Sequence, residues 1–229
     1  MLRAIIFDLD GVLLESTEVK TGAFRRLFAD RAEHVEEIVA YHEAHAGVPR
    51  FEKFRLIFRE ILRQPLSDEE FQSLCDRYAA LCLDGVLTVP LVAGAEAFLR
   101  DHHRAVPLFV ASGTPEGELH EILERRGLTK YFHGMFGSPA SKAEIVGRIL
   151  AGWSLDARAA ILVGDSETDL SAAREHGLPF IGRLHPGSPA SWRTRGDVMT
   201  IKDLTELRAK LEPVSEWPHA PEQLWSERV

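Results

Sequence analysis

Two aspartates one residue apart, Asp8 and Asp10, close the apolar run of "IIFDLDG". Like charges at that spacing repel unless a cation or a shared proton holds them. Hard Mg²⁺ takes oxygen ligands and keeps several waters, so a few carboxylates and a substrate phosphate complete its octahedron. Three later segments carry the remaining pieces: "VASGT" at 110–114, "SPASK" at 138–142 and "GDSETD" at 164–169. A hydroxyl, an ammonium and two more carboxylates suit phosphoryl transfer, where positioning and charge neutralisation supply most of the rate. In that chemistry Asp8 attacks phosphorus and becomes an aspartyl-phosphate. Asp10 gives a proton to the leaving oxygen and then takes one from the incoming water. Ser112, Gly113 and the adjacent amides bind the phosphoryl oxygens, and Lys142 neutralises both phosphate and nucleophile. Asp8, Asp10, Asp165 and Asp169 are the expected metal ligands, with Asp169 acting directly or through water.

Such residues must be brought together by the elements that precede them. The opening strand and three later segments, Pro107 to Ala111, Ala159 to Val163 and Leu178 to Ile181, are short, apolar and bounded by turn or helix signals. They read as strands buried on both faces, as in a parallel sheet. Helical stretches alternate with them: Glu116 to Arg126, Ser141 to Ala151 and Glu167 to His176, each followed by a glycine expected as a C-cap. The alternation predicts a doubly wound, Rossmann-like α/β fold with ligands at the carboxyl ends of its strands. The stretch from Thr17 to Gly85 breaks this rhythm with four or five charged, aromatic helices and no strand, which predicts an inserted helical cap. The expected division is a core of 1–14 and 86–212, a cap of 15–85 and a tail of 213–229, with Trp217 and Trp225 as the candidates for tacking the tail down.

The chain has 229 residues and a formal net charge of −8, with a pI of about 5.7. General attraction to nucleic acid or anionic membranes is therefore not expected, and no apolar run approaches the roughly 20 residues of a membrane span. A cytoplasmic protein, a monomer or a homodimer, acting on a small-molecule phosphate ester is the expectation. Cys75 and Cys82 stand seven apart on one helix, about 10 Å, too far for a disulfide.

The motifs resemble the haloacid dehalogenase superfamily of phosphatases in their order: DxDG, Ser/Thr, Lys, GDxxxD. The resemblance spans Leu2 to about Leu211 and implies a Rossmann-like core under a mobile helical cap, with the residues named above in the roles given. Glu15 departs from the pattern, standing where aspartate is commoner. "AGVPRFEKF" resembles the "GVSR" segment with which sugar-phosphate mutases and related phosphatases place a cap arginine over the site. Arg50 is thereby a candidate for substrate contact, or else an exposed helix-start residue. Lys20 occupies the position where β-phosphoglucomutase-like proteins carry a histidine, and Gly164 the position where they carry a glutamate. Both departures count against a mutase. Lys20, Arg50 and Lys53 together place positive charge on the cap, which suggests a substrate with a second anionic group, such as a phosphorylated sugar acid. Lys53 alone reads more readily as a surface charge balancing Glu52 and Glu43.

Three function classes follow: a Mg²⁺-dependent phosphomonoester hydrolase, a phosphomutase of the β-phosphoglucomutase type, and a silent binding protein, disfavoured because the motif set is intact. Other features carry no chemistry in this reading. "HEAH" at 42–45 lacks the i, i+4 spacing of a zinc-binding helix and is expected to be a polar helix face. Phe51, Phe54 and Phe58 are expected as cap core. His102 and His103 suit a helix C-terminus.

Overall fold

The computed structural model describes residues 2–211 except Arg195 and Asp197; the predicted tail, with Trp217 and Trp225, lies outside the described residues. Six parallel strands, β1 (Ala4–Phe7), β2 (Leu108–Pro115), β3 (Gly134–Ser138), β4 (Ala160–Gly164), β5 (Phe180–Arg183) and β6 (Met199–Ile201), form one sheet in the order β3-β2-β1-β4-β5-β6. β1 lies between β2 and β4, with Phe7 paired to Val110 on one side and Val163 on the other. Alternation divides its side chains: Ala4 and Ile6 pack with Ile145, Val146, Ile149 and Ala173 on one face, while Ile5 and Phe7 join Leu99, Leu119, Ile122 and Leu207 on the other. The helices supplying those partners are α7 (Lys142–Gly152) and α8 (Glu167–His176) on the first face, and α5 (Ala95–His102), α6 (Glu116–Arg125) and α9 (Leu207–Leu211) on the second. The sheet is thus covered on both sides. The strand order reverses at β1, and a crevice opens at the carboxyl ends beside it.

Two strands were not legible in the sequence. β3 is the edge strand "GMFGS", with two glycines and three half-buried residues, and β6 is only three residues long. Neither presents the apolar run of a strand buried on both faces. β2 also runs past the expected Ala111 to Pro115, with a shift of register toward β3 after Ala111. Gly127 and Gly177 have the positive φ of helix C-caps, whereas Gly152 is the last residue of α7 and Trp153 caps it.

Between β1 and α5 the chain forms α1 (Thr17–Leu27), α2 (Val35–Ala44), α3 (Arg50–Leu56) and α4 (Asp68–Thr88), with a π turn at Ile57–Ile61 continuing α3. An aromatic cluster holds them together. Phe24 lies 5.7 Å from Phe54 and 4.8 Å from Tyr78, and Phe28 packs edge-on to Phe54 at 6.2 Å. Each fully buried phenylalanine contributes about 1.5–3 kcal/mol, and the cluster is continuous with the apolar residues on the Ile5 and Phe7 face of the sheet. Phe54 and Phe58 are buried within it, and Phe51 is half-buried against Phe71. Cys75 and Cys82 are buried free thiols on α4. The entry and exit strands of the insert run side by side, with Glu15 N–H donating to Pro90 O at 3.1 Å and Val92 N–H to Leu13 O at 2.9 Å. Glu15 is also clamped by Arg183 at the end of β5, through contacts of 2.6 and 2.9 Å. The residue that departs from the family pattern thus ties the first linker to the sheet.

Candidate active site

β1 ends at Phe7, so the strand's alternation of side chains does not carry as far as Asp10. The two carboxylates take different partners. Asp8 accepts the Leu9 N–H at 2.7 Å and faces the Lys142 ammonium at 2.7 Å. Asp10 accepts from Ser16 Oγ at 2.6 Å, from Thr114 Oγ1 at 3.2 Å and from the Lys20 ammonium. Lys20 also donates to Thr114 Oγ1 at 2.7 Å, so a residue of α1 and a residue of β2 meet on the second aspartate.

Lys142 is placed by its helix. Ser141 caps α7 by accepting the Glu144 N–H at 3.2 Å while Glu144 accepts the Ser141 N–H at 2.7 Å, a reciprocal capping box. The lysine in the first turn thereby points into the sheet end, where it lies 2.5 Å from Asp169 Oδ1 as well as on Asp8. The other oxygen of Asp169 accepts both the N–H and the hydroxyl of Ser166. Asp169 is therefore fully enclosed and held by protein donors at both oxygens. Asp165 leaves β4 beside it and accepts from His185 Nε2 at 2.8 Å. The Gly187 N–H donates to His185 Nδ1 at 3.1 Å, so the proton sits on Nε2. His185 was not found from the sequence. Its one signal is position, in the loop beyond the carboxyl end of β5.

Asp8, Asp165 and Asp169 are buried and each offers an oxygen within 4.8 Å of the others. Asp10, expected as a fourth metal ligand, stands outside this trio. Three carboxylates face one ammonium, an excess of negative charge that a divalent cation would neutralise. The protonation balance agrees: burial pushes the Asp8 carboxyl well up, against the pull of Lys142, and burial also raises Asp165. Burial would raise Asp10 too, but the Lys20 charge and the hydrogen bonds from Lys20, Ser16 and Thr114 hold it below the ordinary carboxylate range. Lys142 is raised by Asp169 and Asp8 although burial opposes this, so it stays an ammonium. Gly11 is required here. It has φ +74°, and a Cβ on it would lie 2.0 Å from Asp165 Oδ2.

Ser112 is fully buried, and its Oγ accepts the Thr114 N–H at 3.1 Å. Gly113 lies against the cap: a Cβ there would stand 2.7 Å from Gly47 O. The loop 46–49 of the cap also reaches Thr168, whose Oγ1 donates to Ala46 O at 3.4 Å. Arg50, at the start of α3, is buried and bidentate to Glu118 of α6, at 2.9 and 2.6 Å, with its guanidinium 4.7 Å from the Tyr78 ring. It is a cap-to-core tie, not an exposed helix-start residue.

Two expectations are corrected. Lys53 is buried, with Nζ 3.2 Å from both His42 Nδ1 and His42 O, and does not balance Glu52 or Glu43 at the surface. His42 is likewise no part of a polar helix face: it stacks on Phe24 at 3.9 Å. Sequence periodicity missed both because the face of α2 that meets α1 also roofs the site. Asp8, Asp10, Lys20, His42, Arg50, Lys53, Gly113, Thr114, Asp165 and His185 all border one cavity of about 400 Å³ between helices and sheet.

A Rossmann-like sheet with paired aspartates after β1, a lysine on a capped helix, and acidic residues after β4, all roofed by an inserted helical layer, defines a phosphoryl-transfer enzyme. The family comparison makes this specific: residues 2–177 match the model of the haloacid dehalogenase-like hydrolases, and the chain belongs to that family. Among its relatives, the "Probable phosphatase IndB" of Dickeya dadantii is 29% identical over 193 residues, covering 80% of this chain and 81% of that protein. The "Phosphorylated carbohydrates phosphatase" of Thermotoga maritima is 28% identical over 191 residues, covering 80% and 86%. A β-phosphoglucomutase from Clostridium difficile superposes with a TM-score of 0.74 at 17% identity, over 93% of this chain and 97% of that one. That likeness is one of fold. The protein is a phosphatase of this family, and no helix among the described residues is long and apolar enough to cross a membrane.

Proposed function

We propose that the protein is a Mg²⁺-dependent phosphomonoester hydrolase that works through an aspartyl-phosphate on Asp8, with a small phosphorylated carbohydrate or sugar acid as substrate. The observation that carries this is the separation of the two aspartates. Asp8 sits with Lys142 at the metal-binding trio, and Asp10 sits apart among Lys20, Ser16 and Thr114. One carboxylate is oriented to attack, while its neighbour is held by a hydrogen-bond set of its own and is free to exchange protons.

Asp8, Asp165 and Asp169 would hold the cation, with Asp169 also anchoring Lys142. Bound there, Mg²⁺ supplies charge neutralisation for the phosphoryl oxygens and keeps Asp8 ionised. The Leu9 N–H fixes one oxygen of Asp8, leaving the other toward Lys142 and the incoming phosphorus. The Ser112 hydroxyl and the Gly113 amide would line the place where the transferring oxygens lie, with the Thr114 N–H holding the Ser112 oxygen. With Lys20 bound, Asp10 is in the base form, suited to drawing a proton from the water that opens the acyl phosphate. In the first half-reaction Asp10 must carry a proton, which passes to the leaving oxygen as the ester O–P bond breaks and leaves Asp10 as the carboxylate that Lys20 favours.

Water as acceptor agrees with the space at residue 164. A Cβ on Gly164 would lie 2.3 Å from the Cβ of Asp169, so the glutamate carried there by the mutase-like proteins has no room beside this aspartate. The relative from Thermotoga maritima supports phosphorylated carbohydrates as the substrate class through its name. The test is inorganic phosphate release from a panel of phosphomonoesters, with Mg²⁺ and with chelator, and with Asp8→Asn as the blank. Metal-dependent release absent from the variant is expected. Isomerised sugar phosphate without release would replace the hydrolase by a mutase.

A further inference from the structure

The cations bordering the cavity divide into two kinds. Lys20 is paired with Asp10, Arg50 with Glu118, and Lys142 with Asp8 and Asp169. Lys53 has no such partner: its Nζ meets only the ring Nδ1 and main-chain O of His42, and among the described residues no carboxylate lies within ion-pair reach. The amine is 3% exposed at the level of the residue and yet borders the cavity shared with Asp8 and Asp10. The face of the Phe24 ring lies 5.8 Å from it.

A buried ammonium without a counter-ion is costly, and cores exclude lysine unless it is paired. An apolar residue of the same length would fill this place without that cost. The nitrogen has three protons and two protein acceptors, so one donor is left over. His42 is fixed by its stacking on Phe24 and cannot neutralise the charge, since its own ring is held neutral by burial and by Lys53, its pKa pushed down to about 2. A buried ammonium with a donor to spare, at the edge of the cavity that holds Asp8 and Asp10, is suited to receiving an anion. Resting on the hydrolase reading above, the geometry points to Lys53, seated by His42, as the group that receives a second anionic substituent of the phosphorylated substrate. The transferring phosphate lies at Asp8 and Lys142, and the second anion enters under α2 and α3. This assigns to one residue the charge recognition that the sequence spreads over three cap cations, because Lys20 and Arg50 are already committed to carboxylates of the core.

Charge control follows from the surroundings. Lys53 is packed among His42 on α2 and Phe24 on α1, and it feels Lys20 and Lys142 against it and Asp10 for it; Glu18 and Glu43 also border the cavity. Burial first, then Lys20, bring its pKa down to about 7. An incoming anion favours the protonated amine, so recognition is strong below neutrality and weakens above it.

Binding separates this proposal from turnover. Titration calorimetry on the Asp8→Asn protein with Mg²⁺ would compare three-carbon ligands: glycerol 3-phosphate, 3-phosphoglycerate with a carboxylate, and propane-1,3-diol bisphosphate with a second phosphate. At pH 6.5 one or both of the latter should bind roughly 10- to 100-fold tighter than glycerol 3-phosphate, and the tighter of them identifies the anion. Lys53→Met in the same background should remove that preference. Raising the pH to 8.5 should reduce it in the parent, which needs no further substitution. Equal binding of the three by the parent, or a preference that survives Lys53→Met, would overturn the assignment. If the wild type releases phosphate from esters while this preference is absent, only the role of Lys53 fails. If anion-dependent binding through Lys53 is present but no ester is hydrolysed, the hydrolase reading fails instead.

Discussion

The Lys20 ammonium, on the first helix of the insert, is bonded at once to Asp10 after β1 and to Thr114 at the end of β2. A residue of the inserted helical layer therefore helps to set the proton affinity of the proposed acid and base of the core. Lys20 holds Asp10 down, so Lys20→Met should move every feature of the pH–rate profile that Asp10 governs toward higher pH. A profile that keeps its limbs in place in that variant would dissociate Lys20 from proton transfer. Asp10→Ala should lose about 10²–10⁴-fold on sugar phosphates. It should lose far less on p-nitrophenyl phosphate, whose leaving group needs no proton.

Lys142→Met leaves Asp8 and Asp169 as buried carboxylates without their cation. Breaking such a pair costs about 3–5 kcal/mol, and activity should fall on the order of 10²–10³-fold or more. The sign follows from the raised lysine pKa: its contribution is fully present below the unfolded value of about 10.4, hence throughout the neutral range. Thermal melts at pH 5 and pH 8 should show a smaller loss at pH 5, where the orphaned carboxyls can protonate.

Metal affinity should rise with pH. Burial raises Asp8 and Asp165, so both retain protons above the ordinary carboxylate range and a cation must displace them. Mg²⁺ at about a hundred times its Kd should stabilise by about 2.7 kcal/mol, a shift of roughly 5–10 °C in Tm. That shift should shrink from pH 7.5 to pH 5 and vanish in Asp165→Asn. A pH-independent shift would place the cation elsewhere.

The seating of the 46–49 loop depends on Gly47, which has φ +79° and whose Cβ would stand 1.9 Å from Thr168 Oγ1. Gly47→Ala should therefore hold the helical layer away from the sheet. We expect kcat/KM to fall while the melting of the core is unchanged, with faster amide exchange over residues 44–50. Glu118→Gln, which weakens the tie to Arg50, should act in the same direction and less strongly. Normal exchange with lost activity would assign Arg50 to substrate instead.

Lys53 also leaves a mark on stability. Its folded pKa of about 7 lies below the unfolded value of about 10.4, so the unfolded chain binds more protons between them. The burden on the fold is complete below pH 7 and is relieved as pH rises toward 10. Lys53→Met should thus raise Tm at pH 6, by an amount on the order of 5 °C, and by less at pH 9. A variant that is more stable and less selective is the signature of a charge kept for binding.

The chemistry of this protein is written in short segments, because each catalytic group follows an apolar strand or opens a capped helix. Asp8, Ser112, Lys142 and Asp165 could be placed by period, cap and turn signals alone, since a parallel sheet delivers strand ends to one edge. Local pattern also sufficed for α8 and for the aromatic core around Phe54. It could not supply partners. Lys20, Arg50 and Lys53 are three similar cations in one helical stretch, and nothing in their neighbours distinguishes them. Only the packing of α1, α2 and α3 against the sheet gives the first to Asp10, the second to Glu118 and the third to His42, across separations of 10, 68 and 11 residues. The same holds for His185 beside Asp165, brought there by the crossover into β5. Residue type and spacing determined which reaction the chain can carry out. Long-range burial, which strips water from some charges and pairs others, decided which cation is left for the substrate.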